Sequence, residues 1–106
     1  MKRVPTYNLN QARSLVAQGD YLLTKKVTDS LRNHGYDSGE TVEEVFDSLS
    51  EDGFHKTIPL DKRPDTYADV YFADYDGDRW YVKFFIEDDG GKIVDVWSCR
   101  PDGFTA

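Results

Sequence analysis

The chain has 106 residues, of which 39% are hydrophobic and 14% aromatic, and its net charge is −7. This length suits one folded domain, residues 1–106, and the aromatic content is too high for a disordered chain. No apolar run approaches the roughly 18 residues of a spanning helix, and the first ten residues lack the apolar stretch of a signal peptide, so we expect a cytoplasmic protein with no membrane partner. The single cysteine, Cys99, excludes an internal disulfide and a cysteine-rich zinc site.

The charge is divided unevenly along the chain. Residues 1–35 hold six basic and two acidic residues, whereas residues 36–106 hold seven basic and eighteen acidic ones. An acidic chain repels nucleic acid at long range, so the total charge alone disfavours a nucleic-acid partner. The asymmetry nevertheless predicts that the molecule has one basic side.

Two short helices are predicted in the first third of the chain. Asn8 begins a capping-box pattern and Gly19 supplies a C-terminal stop, which together predict a helix over residues 9–18. A second, less regular pattern predicts a helix between Thr24, its N-cap, and Gly35.

The third predicted helix has the clearest apolar periodicity. Thr41 followed three residues later by Glu44 has the form of a capping box. The apolar side chains that follow fall at the spacing of one helical face: Val42, Val45, Phe46 and Leu49.

After Ser50 the apolar period changes to 2, which predicts strands. The predicted strands are His55–Ile58, Tyr67–Asp74, Trp80–Glu87 and Lys92–Arg100, with a loop over Pro59–Asp65 and turns at Asp76-Gly77 and Asp88–Gly91. The third strand alternates an apolar face with a mixed one, so its apolar face should carry the helices. The predicted fold class is α+β, with N-terminal helices packed on one face of a C-terminal antiparallel sheet.

A cluster of Lys, Arg and Tyr side chains is predicted on the second face of this sheet. Tyr81 and Lys83 share the face by strand alternation, and Lys56 and Arg100 converge with them if the strands pair as a meander. Such a cluster suits phosphodiester cleavage, in which a ribose 2′-hydroxyl attacks the adjacent phosphate and cations stabilise the developing charge. This chemistry requires no metal and no cofactor. The same spacing also fits a structural role, in which Lys83 and Arg100 only solvate an exposed sheet face.

Two other patterns have simple structural explanations, whereas His55 is less easily dismissed as a functional residue. Asp74–Asp78 begins like a calcium loop, but Gly77 stands at the fourth position instead of the sixth, and a hairpin turn explains the segment. His55 neighbours Lys56, and histidine is a common catalytic acid or base, although strand alternation would point the two side chains to opposite faces. Cys99 has no histidine nearby in the sequence and is interpreted as a packed residue.

A set of short motifs occurs in order along nearly the whole chain. They are Lys2-Arg3 with Pro5, the helix ending at Gly19, the segment Leu49–Lys56, the triplet Asp69-Val70-Tyr71 and the strand Tyr81-Val82-Lys83. Together these motifs resemble the MqsR family, which comprises toxins of type II toxin–antitoxin systems. Its members are metal-independent ribonucleases with a RelE-like fold.

The resemblance implies an endoribonuclease that cleaves messenger RNA and is neutralised by a cognate antitoxin protein. Lys56 and Tyr81 stand where the family has catalytic residues, and Arg100 corresponds to its C-terminal basic residue. Arginine keeps the charge and can clamp a phosphate, but it does not donate a proton. We also expect Lys83, His55 and Tyr71 to bind the substrate. The chain departs from the family pattern at Ala68, where the family has glutamine, and at Phe72, where it has arginine.

A second hypothesis assigns another function to the same fold. A catalytically decayed or acidic binding protein would contact and inhibit a basic protein partner through the acidic half of the chain. The two hypotheses differ in the electrostatic potential around Lys56, Tyr81, Lys83 and Arg100. The potential there is positive in a nuclease, and it is negative or interrupted in an acidic mimic of nucleic acid.

Overall fold

The computed structural model describes residues 4–103, apart from the side chain of Pro64. The elements are α1 (Leu9–Ala17), β1 (Tyr21–Leu23), α2 (Lys25–Asn33), α3 (Ser38–Ser48), a 3-10 turn (Glu51–Gly53), β2 (Phe54–Leu60), β3 (Arg63–Tyr75), β4 (Asp78–Asp88) and β5 (Lys92–Pro101). The Lys2-Arg3 pair quoted above lies outside the described residues. Within residues 4–103, no helix is long and apolar enough to cross a membrane.

The five strands form one sheet in the order β1-β5-β4-β3-β2. Strands β2 to β5 pair as an antiparallel meander, as the sequence predicts. Strand β1 instead pairs parallel to β5, from Tyr21 opposite Val94 to Leu23 opposite Val96. The α+β class is therefore confirmed, but the prediction of an antiparallel sheet is wrong, because three residues are too few to show a readable alternation.

Two predicted boundaries differ from the structure. The loop predicted over residues 59–65 is largely strand, because β2 runs to Leu60 and β3 begins at Arg63. Helix α3 begins at Ser38 and not after Thr41, since the Asp37 side chain accepts a hydrogen bond from the Glu40 N–H at 2.9 Å. Asp37 and Thr41 are each followed three residues later by a glutamate, and Asp37 is the one that caps the helix.

The N-terminal caps of the first two helices are confirmed. The Asn8 side chain accepts a hydrogen bond from the Gln11 N–H at 2.9 Å, and the Thr24 hydroxyl accepts one from the Val27 N–H at 3.2 Å. Each cap satisfies a backbone donor that the first helical turn leaves without an intrahelical partner.

All three helices contribute to one core on the side of the sheet that we call the covered face. The fully buried side chains from β4 are Trp80, Val82 and Phe84, as the strand alternation predicts. The helices contribute Leu9, Ala12, Val16, Val27, Leu31, Val42, Val45, Phe46 and, just after α3, Leu49. The other side of the sheet, the open face, carries a smaller apolar cluster of Leu60, Ala68 and Phe85, against which the partly buried Tyr7 and Trp97 pack.

A buried carboxylate attaches the start of the chain to β3. Asp69 is fully buried, and its two oxygens accept hydrogen bonds from the backbone N–H groups of Thr6 and Tyr7, both at 2.9 Å. The hydroxyl of Thr6 lies 2.8 Å from that of Thr57, and the Tyr7 hydroxyl donates to the Tyr67 carbonyl at 2.7 Å. These bonds fix the segment that leads into α1, because a buried charge is tolerated only when its hydrogen bonds are satisfied.

Three tyrosine hydroxyls donate to carboxylates on neighbouring elements. Tyr21 donates to Glu43 at 2.7 Å, and Tyr75 donates to Glu44. Burial and the bond to Glu43 raise the pKa of Tyr21 to about 12, and the bond to Glu44 together with burial raises the pKa of Tyr75 to about 12. The third pair, Tyr36 with Asp76, has an O···O distance of 2.8 Å.

Replacing Asp69 by alanine should destabilise the fold strongly. Asp69→Ala leaves the N–H groups of Thr6 and Tyr7 without their acceptor, and we expect the free energy of unfolding to fall by about 2–4 kcal/mol. Urea denaturation measures this change. The exposed Asp65 is the control, since Asp65→Ala should change stability by less than about 0.5 kcal/mol. Equal effects of the two substitutions would contradict the anchoring role.

Alkaline pH should weaken the fold through Tyr21 and Tyr75. Their pKa values are higher in the folded protein than the ordinary value of 10, so their contribution to stability is complete below pH 10 and is lost as the pH rises toward about 12. Denaturation midpoints between pH 9 and 12, measured with tyrosinate absorbance, test this. The double variant Tyr21→Phe/Tyr75→Phe should show a smaller alkaline loss, and an unchanged loss would exclude these two groups as the cause.

Candidate active site

Cross-strand register places the predicted polar residues in two rows on the open face. In one row, Phe72 is opposite Tyr81, which is opposite Arg100. In the next row, Lys56 is opposite Val70, Val70 is opposite Lys83, and Lys83 is opposite Ser98. Rows two residues apart along a strand are separated by about 7 Å. The meander therefore brings four of the predicted residues together: Lys56, Tyr81, Lys83 and Arg100.

A β-bulge brings His55 to the same face as Lys56. The register shifts between Phe54 and Lys56, so that His55 is an extra residue in β2. Its ring lies 4.8 Å from the ring of Phe72, centroid to centroid, on the open face. The expectation that His55 and Lys56 point to opposite faces is therefore wrong, because a bulge interrupts the strand alternation on which it rests.

Four cations surround this part of the sheet, and we call Lys26, Lys56, Lys83 and Arg100 the cationic cluster. Burial lowers the pKa of Lys83, and the positive charges of Lys26, Arg100 and Lys56 lower it further, whereas Asp61 opposes them. The ion pairs among residues 4–103 are made by other cations: Arg13, Lys25, Arg63 and Arg79. The cluster therefore has an excess of positive charge, which an anion would neutralise.

Lys26 belongs to the cluster but was not predicted from the sequence. It lies on the first turn of α2 and, with Ser30, lines a small cleft against Ser98 and Arg100 of β5. Sequence spacing gives no sign of this contact, because it depends on how α2 packs against the last strand. The pairing of β1 with β5 places the start of α2 beside that strand, where the Thr24 N–H donates to the Val96 carbonyl at 3.3 Å.

Tyr81 lies under the guanidinium group of Arg100. The guanidinium carbon is 4.7 Å from the centre of the Tyr81 ring, within the range of a cation–π contact. Burial raises the pKa of Tyr81, the charge of Arg100 lowers it, and Asp102 raises it, with a net rise. At neutral pH the phenol is therefore protonated and is able to donate a hydrogen bond or a proton.

The rest of the open face carries apolar side chains, carboxylates and an arginine that is paired with one of them. The Trp97 ring packs 5.8 Å from the ring of Phe85, and Arg63 forms an ion pair with Glu87 at 3.1 Å. Burial and the charge of Glu87 raise the pKa of Asp95, although the Trp97 side chain and Arg63 lower it. Among the described residues of the open face, Arg63 and Arg79 are paired with carboxylates, so an anion meets unpaired positive charge at the end that carries the cationic cluster.

Other predicted or considered residues lie elsewhere. Tyr71 is fully buried on the covered face, stacked 6.0 Å from Phe84, so it does not join the other predicted substrate-binding residues. Cys99 is buried on the same face, and burial raises the pKa of its thiol to about 12, in agreement with a packed residue. Asp76 and Gly77 both have positive φ, 52° and 78°, which is the type I′ hairpin geometry and explains the calcium-like pattern.

The protein thus combines an α+β fold, with the helices N-terminal, and a basic cluster on a chain of net charge −7. A family model described as motility quorum-sensing regulator, toxin of MqsA, matches residues 4–96. The chain therefore belongs to this family of toxins from toxin–antitoxin systems, as its motifs predict. The match includes Lys56, Tyr81 and Lys83, whereas Arg100 lies beyond its end. No protein with a curated description matches the chain.

Removing the charge of Lys26 should raise the pKa of Lys83. Among the charges around Lys83, that of Lys26 lowers its pKa most, so Lys26→Met should make Lys83 a weaker acid while keeping a side chain of similar length. NMR titration of the lysine side chains measures this shift. Lys25 is the matched control, because it precedes Lys26 on α2 and is paired with Asp29. Equal shifts in Lys25→Met and Lys26→Met would contradict the proximity of Lys26 to Lys83.

Proposed function

We propose that the protein is a metal-independent endoribonuclease that cleaves messenger RNA and is neutralised by a cognate antitoxin. The single observation that carries this proposal is the cationic cluster, which surrounds a partly buried lysine with lowered pKa on a chain of net charge −7. Family membership supports the toxin role and the antitoxin partner. The proposal includes a RelE-like fold and action in the cytoplasm, where messenger RNA is available.

The proposed reaction is attack of a ribose 2′-oxygen on the adjacent phosphorus. The 2′-O–P bond forms and the P–O5′ bond breaks, which leaves a 2′,3′-cyclic phosphate and a free 5′-hydroxyl after proton transfer to the leaving oxygen. The phosphate gains negative charge on the way to the transition state, so fixed cations around it lower the barrier. The open face supplies such cations in two neighbouring cross-strand rows, Arg100 in one and Lys56 and Lys83 in the other.

The residues divide these tasks according to their chemistry. Lys56 polarises the 2′-hydroxyl as a fixed cation, and the hydroxyl proton passes to water, which later returns a proton to Tyr81. Arg100 holds the non-bridging phosphate oxygens with two parallel N–H donors. Tyr81 donates its phenolic proton toward the leaving 5′-oxygen, because its raised pKa keeps it protonated. Lys83 binds the phosphate, whose negative charge offsets the repulsion that lowers the lysine pKa.

The competing hypothesis of an acidic binding protein predicts a negative or interrupted potential at the same place. Three of the four charges that act on Lys83 are positive, and only Asp61 is negative. The acidic residues near Tyr36 and Tyr75 lie instead by α3 and the β3–β4 turn. The distribution of charge therefore favours an anionic ligand on the open face.

Substitutions in the cluster should abolish toxicity and cleavage together. We expect Lys56→Ala and Arg100→Ala to remove growth arrest on induced expression, and Tyr81→Phe to slow cleavage about 100-fold or more, since it keeps the ring beneath Arg100 but loses the proton donor. Growth curves and primer extension on cellular messenger RNA measure these effects.

Lys92→Ala is the matched control, because it removes an equal charge from an exposed position at the start of β5. It should leave both growth arrest and cleavage unchanged. Growth arrest and discrete cuts that persist in Lys56→Ala would contradict the assigned site. A folded wild-type protein that neither arrests growth nor cuts RNA would overturn the nuclease proposal.

A further inference from the structure

Three rings form a line across β2, β3 and β4 beside the cationic cluster, and we call His55, Phe72 and Tyr81 the ring row. Phe72 lies between the other two, with ring centroids 4.8 Å from His55 and 6.1 Å from Tyr81. All three rings are at least partly exposed on the open face. Rings that alternate with cations along a groove are typical of surfaces that bind single-stranded nucleic acid, because every base presents a face for stacking.

Arg79 adds a second stacking plane over the central ring. Its guanidinium carbon is 4.3 Å from the centre of the Phe72 ring. The carboxylate of Asp102 accepts hydrogen bonds from the Nε and Nη2 atoms of Arg79, the first at 3.1 Å, and the Asp102 N–H donates to the Arg79 carbonyl at 2.6 Å. These bonds hold the guanidinium plane in place, so stacking on it requires little further ordering of the side chain.

A cleft of about 370 Å³ opens beside this stacked pair, and its walls include Phe72, Arg79, Ser50 and Asp52. The cleft forms because β2 pairs with β3 only as far as Tyr71, which leaves the edge of β3 beyond that residue beside the 3-10 turn. The serine and aspartate side chains are exposed and offer hydrogen-bonding groups for the edge of a base.

We propose that Phe72 and Arg79 form a binding subsite for an unpaired base of the RNA, next to the phosphate that the cationic cluster holds. This inference rests on the proposed function and adds to it the position of a base and a requirement for single-stranded RNA. The ring row and the lysine row are about 7 Å apart, so one nucleotide places its phosphate on the cluster while a neighbouring base reaches the cleft. At position 72 a ring replaces the arginine expected from the family resemblance, so this contact is made by stacking and not by charge.

Binding of an uncleavable oligonucleotide tests the subsite without relying on catalysis. The probe is a fluorescein-labelled, fully 2′-O-methylated RNA of mixed sequence, and fluorescence anisotropy measures its Kd. We expect Phe72→Leu and Arg79→Ala each to weaken binding about tenfold. Phe72→Trp keeps a ring and should keep the affinity within about twofold, and its added fluorescence should be quenched by the probe.

Arg63 provides the matched control for Arg79. It lies over the ring of Phe85, 5.4 Å from its centre, and is paired with Glu87, but at the other end of the open face. Arg63→Ala removes the same charge and should leave the Kd unchanged. A probe of the same length with abasic sites should bind wild type and Phe72→Leu equally, because it has backbone charge but no base to stack. Thermal melting confirms that each variant is folded.

The outcomes separate the subsite from the nuclease activity. Phe72-dependent binding of the probe without cleavage of ordinary RNA would support the subsite and overturn the nuclease. Cleavage by wild type with unchanged probe binding in Phe72→Leu would overturn the subsite alone, as would an equal loss of binding for the abasic probe. Loss of antitoxin binding in Phe72→Leu with intact RNA binding would show that these residues form a protein-docking surface instead. Absence of any RNA binding by folded wild type would overturn both proposals.

Discussion

The carboxylate of Asp69 joins the start of the chain to the middle of the sheet, and the positions of many other groups depend on it. Two backbone N–H groups bind this carboxylate just before α1, so the segment that leads into the first helix is fixed to β3. The neighbouring residue, Val70, lies on the opposite side of the strand, between Lys56 and Lys83. The strand that is anchored on the covered face is therefore also the strand that sets the spacing of the two lysines on the open face.

Acidic and basic side chains lie in different parts of the molecule, although the acidic ones are more numerous. Carboxylates near α3 accept hydrogen bonds from tyrosine hydroxyls, so part of the acidic surface is engaged in holding elements together. The four residues of the cationic cluster form no ion pair among the described residues, and Lys83 is also partly removed from water. A local excess of positive charge with restricted access to water attracts a phosphate much more strongly than the net charge of the chain would suggest.

Sequence periodicity predicted the helices, the four long strands and the convergence of Lys56, Tyr81, Lys83 and Arg100, because these features follow from alternation and from meander pairing. It missed β1, which is held by parallel pairing with a distant strand and has no local signal. It also placed His55 and Lys56 on opposite faces of the sheet, since a one-residue bulge cannot be recognised from the alternation of a strand. Tyr71 could have been placed correctly, because a two-residue turn at Asp76-Gly77 pairs it with Val82, which lies on the apolar face. The roles of α2 and of the cleft beside Phe72 depend on packing between distant elements, which spacing alone does not encode.

The position of β5 in the sheet has a consequence for the order of folding. Strand β5 lies between β1 and β4 in the sheet, and it also carries Arg100 and Ser98, the residue opposite Lys83. Strand β1 is synthesised early, but it pairs with residues 94–96. It therefore cannot join the sheet until almost the entire chain has been synthesised. Such distant contacts form late, because closing a long loop is entropically costly. During synthesis the nascent chain therefore carries an incomplete surface, and the cluster is assembled only when the last strand enters the sheet.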